Sequence, residues 1–226
     1  MVVTLAMDTS SRSMSVALLR DEELLAEFYL DAGRRHEESL VPAVEHVLDR
    51  AGRAMDNVDL FACSVGPGSF TGLRVGLATA KGFAGALRKP LVGVSSLEAL
   101  ARNVMYSERA VCPMLDARRG EVYAAVYDGL GPDGLPREIV REQVSEPASF
   151  LEQIEGHLLF VGDGSEVYKE VIRDILGERA HFAGSAADRI RASVIGRIGL
   201  KKRDADDTGD IYALTPRYLR PSYVGL

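Results

Sequence analysis

The sequence has only two cysteines, Cys63 and Cys112, each inside an apolar, strand-like segment. That excludes a disulfide framework and predicts buried free thiols in a reducing cytoplasm. No apolar run approaches eighteen residues, so no membrane-spanning helix is expected. Met1 leads straight into VVTLAMD, which reads as a strand, so no charged-apolar-cleavable leader is expected either. Positive charge is not in excess: 27 Lys and Arg face 33 Asp and Glu, a net charge of −6. A domain that grips nucleic acid by itself is normally basic, so any contact with RNA is expected to be indirect. Histidine is scarce, and His36, His46, His157 and His181 show no ligand spacing. No metal and no cofactor is expected.

What is present is ordinary for a water-soluble fold: 46% hydrophobic and 27% charged residues over 226 positions. Such a chain suits one large or two small domains. The most informative stretch is Leu60–Leu87, LFACSVGPGSFTGLRVGLATAKGFAGAL. Leu60–Val65 reads as a buried strand, Gly66-Pro67-Gly68-Ser69 as a turn, and the pattern from about Phe70 as a helix. Its polar side chains are few, which predicts cover on more than one side. Gly72, Gly76, Ala80 and Ala84 recur every four residues and draw a stripe of missing side chain. Gly76, Gly82 and Gly85 inside a helix cost about 2–3 kcal/mol together, at about 1 kcal/mol each against alanine. Packing would offset that cost, and the helix is expected to lie between its own sheet and a second surface, for which another protein is the candidate.

Ahead of this stretch, Val2–Met7, Ser13–Leu19 and Glu23–Leu30 read as strands and Glu37–Ala51 as a helix. After it come a strand at Leu91–Val94 and a helix from Ser95 or Ser96 to about Tyr106. The order then begins again: strands at Ala110–Leu115, Glu121–Tyr127 and Arg137–Val144, a short helix at Phe150–Ile154, a strand at Leu158–Val161 and a helix at Glu166–Leu176. A last helix spans about Ala187–Lys202, before an acidic break at Asp204, Asp206 and Asp207 and a tail. Met7-Asp8 and its polar turn match Leu115-Asp116, and Val65-Gly66-Pro67-Gly68-Ser69 matches Val161-Gly162-Asp163-Gly164-Ser165. The second match has the smaller offset, as a shorter first helix in the second half would produce. The chain thus reads as two duplicated βββαβα lobes, 1–106 and 107–226, the second carrying the last helix and tail.

That order resembles the actin-like ATPase (ASKHA) fold, an α/β architecture with a central cleft between its lobes. More closely, MDTSSRSMSVAL at Met7–Leu18, SVGPGSFTGLRVGLATAKG at Ser64–Gly82, DARRGEVYAAVYD at Asp116–Asp128 and PRYLRP at Pro216–Pro221 resemble the TsaB (YeaZ) family. The resemblance implies a non-catalytic, activating subunit of bacterial tRNA threonylcarbamoyl-adenosine modification. It further implies binding to TsaD through first-lobe helices, a larger complex with TsaE, a homodimer when free, and no membrane. In such proteins the first-lobe helices make the contact, which places the expected partner interface on Leu40, Val44, Gly72, Val75, Gly76 and Thr79.

The residues themselves leave two readings of the Gly66–Gly72 loop: a phosphate cradle at a helix N-terminus, or a tight turn seating a helix on a sheet. It is not a P-loop, and its G-x-G-x-x-x-G spacing misses the dinucleotide fingerprint. Asp8, Thr9, Ser10, Gly66, Gly68, Asp116 and Arg118 mark the corresponding nucleotide cleft, read as vestigial, because its turns lack the glycines that phosphate approach requires. Where TsaD carries two histidines four apart, this chain has Ser95–Leu100 and no histidine. Glu121, Tyr123 and Tyr127 read as strand positions, and Arg217 and Arg220 as partner or nucleotide contacts or a frayed end. The alternative function is a stand-alone, ATP-dependent phosphotransferase or acyltransferase of the actin-like class.

Overall fold

The computed structural model describes residues 1–31, 36–205 and 210–220. The side chain of His36, read as a solvated helix end or contact, and Asp206, Asp207 and Pro221 lie outside the described residues. The chain divides into two compact units, one of Met1–Ala99 with Ile190–Arg217 and one of Leu100–Arg189 with the end of the chain.

In the first unit, β1 (Val3–Asp8), β2 (Met14–Arg20) and β3 (Glu23–Leu30) form an antiparallel meander. Helix α1 (His36–Arg50) leads to β4 (Leu60–Gly66), which returns parallel to β1; α2 (Phe70–Leu87) leads to β5 (Leu91–Ser95), parallel to β4. The sheet order is β3-β2-β1-β4-β5. Every residue of β1 and β4 is buried, as central strands covered on both faces require. Leu5, Met7, Val16, Leu18, Phe61 and Cys63 face α1 and α2. Alternation turns Ala6, Leu19 and Ala62 to the other face.

The second unit repeats the plan after α3 (Ser96–Arg102). Strands β6 (Ala110–Arg118), β7 (Glu121–Leu130) and β8 (Pro136–Ser145) form the meander. Then follow α4 (Pro147–Leu151), β9 (Leu158–Val161), α5 (Asp163–Val167), α6 (Lys169–Leu176) and β10 (Ala180–Phe182). The order β10-β9-β6-β7-β8 is that of the first sheet, element for element. Both sequence matches fall on equivalent places: Asp8 and Asp116 near the ends of first strands, Gly66 and Gly162 at the ends of fourth strands. Helix α4 has five residues where α1 has fifteen, in the sense the smaller offset implied.

Several elements differ from the sequence reading, among them α4, which spans Pro147–Leu151 rather than Phe150–Ile154. Helix α3 stops at Arg102 rather than near Tyr106, and the amide of Asn103 donates instead to the carbonyls of Ala187 and Arg189 at 2.8 Å each. The helix read over Glu166–Leu176 is two helices meeting at Tyr168, whose φ of −107° and ψ of 21° interrupt the helical path. Strand β10 was not anticipated, because three residues carry too little pattern.

The last helix, α7 (Ala192–Asp204), begins later than Ala187 and packs on the first unit's sheet. Gly196 lies against Ala6 and Leu19, and Gly199 against Ala62 and Val92, so small residues on both sides allow close approach. Its N-terminus is held by β2 and β3: Ala192 N donates to Ser15 Oγ at 3.1 Å and Ser193 N to Glu27 Oε1 at 3.0 Å. Arg191 completes the clasp with an ion pair to Glu27. A partition by chain order puts α7 in the second lobe; these contacts put it in the first unit.

Candidate functional site

The turn after β1 is built by its own short polar side chains. Asp8 is buried, and its Oδ1 accepts from Ser10 N at 3.1 Å and Ser10 Oγ at 2.6 Å, an Asx turn. Thr9 Oγ1 donates to the Gly72 carbonyl at 2.7 Å. Ser10 O accepts from Ser69 N at 2.6 Å. Ser69 caps α2, its Oγ accepting from Gly72 N at 3.2 Å, while Leu73 N donates to Ser69 O at 2.9 Å. Three amides at the start of α2 are therefore engaged within the chain.

The glycines explain why the turn and loop can touch. A side chain on Gly68 would collide with the Ser10 carbonyl, one on Gly72 with the Thr9 carbonyl, and one on Gly76 with the Thr9 hydroxyl. Gly66, at φ +112°, would place a Cβ 2.8 Å from the carbonyl of Arg217. Arg217 N in turn donates to Val65 O at 2.7 Å, and Leu214 packs beside Gly93. The segment around Leu214–Arg217 is thus fastened to the end of β4 rather than frayed. Of the two readings left open for the Gly66–Gly72 loop, this geometry is that of the tight turn.

The second unit uses the same device. Gly162 would clash with the Met114 carbonyl, and a Cβ on Gly164 would lie 2.7 Å from the Leu115 carbonyl carbon. Asp116 Oδ1 accepts from Arg118 N at 2.8 Å, and its other oxygen pairs with the Arg118 guanidinium at 3.0 Å. Asp116 N donates to Asp163 Oδ1 at 3.1 Å. Desolvation raises the Asp163 carboxyl above the usual range and the Asp116 charge adds to it, against the opposing effect of the amide bonds. Arg118, Arg119 and Gly120 all take positive φ, which folds the hairpin tightly around its own aspartate. Glu121 is paired with Arg220, and Tyr127 donates to Glu142 at 3.0 Å. Among the described residues, no three His, Cys, Asp or Glu come together to hold a metal.

The surface expected for a partner needs correction. Leu40 and Val44 are buried in the first unit's core, and Gly72 and Gly76 face Thr9, so none of the four presents a docking surface. The small-residue stripe was real, but its neighbour is the chain's own β1 turn. Val75 and Thr79 are half-buried, Val75 against the core. The exposed side of α2 lies elsewhere, on Phe70, Thr71, Arg74, Ala78, Gly82 and Ala86. There the Arg74 guanidinium lies 3.6 Å over the Phe70 ring, and the space beside Gly82 and Gly85 is open. Helical periodicity marked one stripe as small; it did not say what met it.

Two sheets of identical order, each with its first turn clamped by a glycine of its fourth-strand loop, define an α/β protein of the actin-like ATPase class. A family model described as "TsaD: tRNA N6-adenosine threonylcarbamoyltransferase" matches residues 30–223. The Bacillus subtilis tRNA threonylcarbamoyladenosine biosynthesis protein TsaB is 34% identical over 96% of this chain and 93% of its own. The Escherichia coli protein of the same name is 33% identical over 74% of each. Among solved structures, YeaZ from Pseudomonas aeruginosa superposes with a TM-score of 0.83 at 29% identity, over 97% of this chain and all of that one. The chain belongs to the TsaB (YeaZ) family. No helix among the described residues is long and apolar enough to cross a membrane.

Proposed function

We propose that this protein is a non-catalytic, activating subunit in cytoplasmic threonylcarbamoylation of the adenosine beside the tRNA anticodon. In this reading it binds a TsaD-type catalytic subunit through its first lobe, supports a TsaE-type third component, pairs with itself when free, and meets tRNA only through the assembly. The observation that carries the non-catalytic part is the closed glycine loop: Ser69 N is given to Ser10 O at 2.6 Å, and Gly72 lies on the Thr9 backbone. Amides and space that a kinase would offer to phosphate are used to seat α2 on β1.

The partner surface is proposed on the outward side of α2, around Arg74, Ala78 and Gly82, together with the exposed Val41, Glu45 and Asp49 of the neighbouring α1. Open glycines on a helix give a partner close access to backbone. The testing experiment measures ATP turnover by the isolated chain, by a TsaD-type protein alone, and by the two together. Turnover is expected only when the catalytic subunit is present. Steady hydrolysis by the isolated chain, lost in a folded Asp8→Asn variant, would overturn the proposal.

A further inference from the structure

His157 and His181 have no spacing that suggests a site, yet the fold brings them together. Strands β9 and β10 run parallel, with Leu158 opposite Ala180 and Leu159 opposite His181. His157, just before β9, therefore falls on the same face as Leu159 and His181. Leu158, Phe160, Ala180 and Phe182 occupy the other face, packed with α6 in the second unit's core. Lys169 and Arg173 cover the Phe182 ring there, 4.9 and 5.4 Å from its centre, which leaves the imidazoles on the opposite side of the sheet. His157 Nδ1 and His181 Nε2 are 3.2 Å apart, with the ring planes inclined at 26°. His157 is exposed and His181 half-buried, so water reaches the pair.

We propose that this pair is a labile surface site for a borderline divalent transition-metal ion of the zinc class. Zinc–imidazole bonds of about 2.0–2.1 Å at a tetrahedral centre set two nitrogens roughly 3.3 Å apart. The observed 3.2 Å separation matches that spacing, and each ring turns so that its facing lone pair leaves the N–N line and points at the ion. Without metal, one ring donates its N–H to the other. With metal, that ring carries its proton on its remaining nitrogen, and both facing lone pairs bind the ion. Two metal–nitrogen bonds form, four waters leave as the six-coordinate aqua ion becomes four-coordinate, and no net proton is released from neutral rings. No third protein ligand joins them among the described residues, so water fills the remaining positions and the ion exchanges readily.

The test uses the full chain, stripped with chelator and titrated with zinc ion alone. Calorimetry supplies the stoichiometry, and imidazole NMR shows which rings respond. One zinc per chain is expected, with the His157 and His181 resonances shifting together. His157→Ala and His181→Ala should each lose the site while keeping the native circular dichroism, and His46→Ala should retain it. Equal zinc binding by folded His157→Ala and wild type, or no saturable binding by the folded wild type, would overturn the assignment.

Discussion

Thr9 Oγ1 donates a 2.7 Å hydrogen bond to the carbonyl of Gly72, and the same hydroxyl occupies the space that a side chain at Gly76 would need. One threonine in the first turn thus sets the identity of two positions a full helical turn apart on α2. At Gly72 the obstacle is the Thr9 backbone carbonyl, which no rotamer change relieves, and at Gly76 it is the Thr9 hydroxyl, held in place by its bond to the Gly72 carbonyl.

That geometry separates glycines that look alike in the sequence. Gly72→Ala is expected to destabilise the fold by about 1–3 kcal/mol through overpacking on the Thr9 carbonyl. Gly82→Ala meets nothing within 4 Å and should stabilise the free chain by about 1 kcal/mol through helix propensity. Urea midpoints of the two variants check this. A Gly72→Ala protein as stable as wild type would mean that the turn does not sit on the helix.

Association should follow the outward face of α2 instead. Ala78→Arg leaves the buried side untouched, so the variant should fold with an unchanged melting midpoint. Its binding to a TsaD-type partner and its self-association, read by co-purification and light scattering, should both fall sharply. Unchanged binding by folded Ala78→Arg would remove α2 from the proposed interface.

The clasp on α7 has a defined pH dependence. Burial pushes the Glu27 carboxyl up, but the Arg191 guanidinium and the amide of Ser193 outweigh it and hold the group below the usual carboxylate range. A lowered folded-state pKa contributes stability above the unfolded value, about 4.3, that is lost as pH falls through the folded one. Glu27→Gln should therefore cost about 1–3 kcal/mol at neutral pH. The gap to wild type should narrow in acid. Denaturant titrations of both proteins from neutral pH downwards read it, and a gap that stays constant would exclude the charge as its source.

The two thiols should be silent in the folded protein. Burial pushes Cys63 up to about 12, with the Asp8 charge adding to it, and burial alone raises Cys112. The thiolate is the reactive form, so alkylation at neutral pH should proceed only as the chain unfolds. Its rate should track denaturant concentration for both cysteines. Rapid labelling of either in native buffer would place that residue outside the core.

The strands of both meanders, the α2 helix and the duplication were legible because they rest on local signals: apolar alternation, a glycine-proline turn, a repeated strand–turn pattern. Strand β10 and the break at Tyr168 were not, because three residues and one bent dihedral pair leave no period to detect. Asp8, Thr9, Ser10, Gly66, Gly68, Asp116 and Arg118 were marked in the sequence as a vestigial cleft; in the first unit Gly68 lies on the Ser10 carbonyl, beside the Asp8–Ser10 turn, while Gly66 lies against Arg217. Their purpose was ambiguous, since glycines that admit a phosphate and glycines that admit another turn are the same residues.

The sequence by itself determined the actin-like architecture and the family, since both are carried by element order and long local motifs. Only the tertiary structure decided the direction in which α2 faces, the unit to which α7 belongs, and the meeting of His157 with His181. A helical repeat specifies which residues share a face and is blind to what lies opposite. Parallel strands bring distant residues into register only after their connections have closed, and no spacing within the chain records that register.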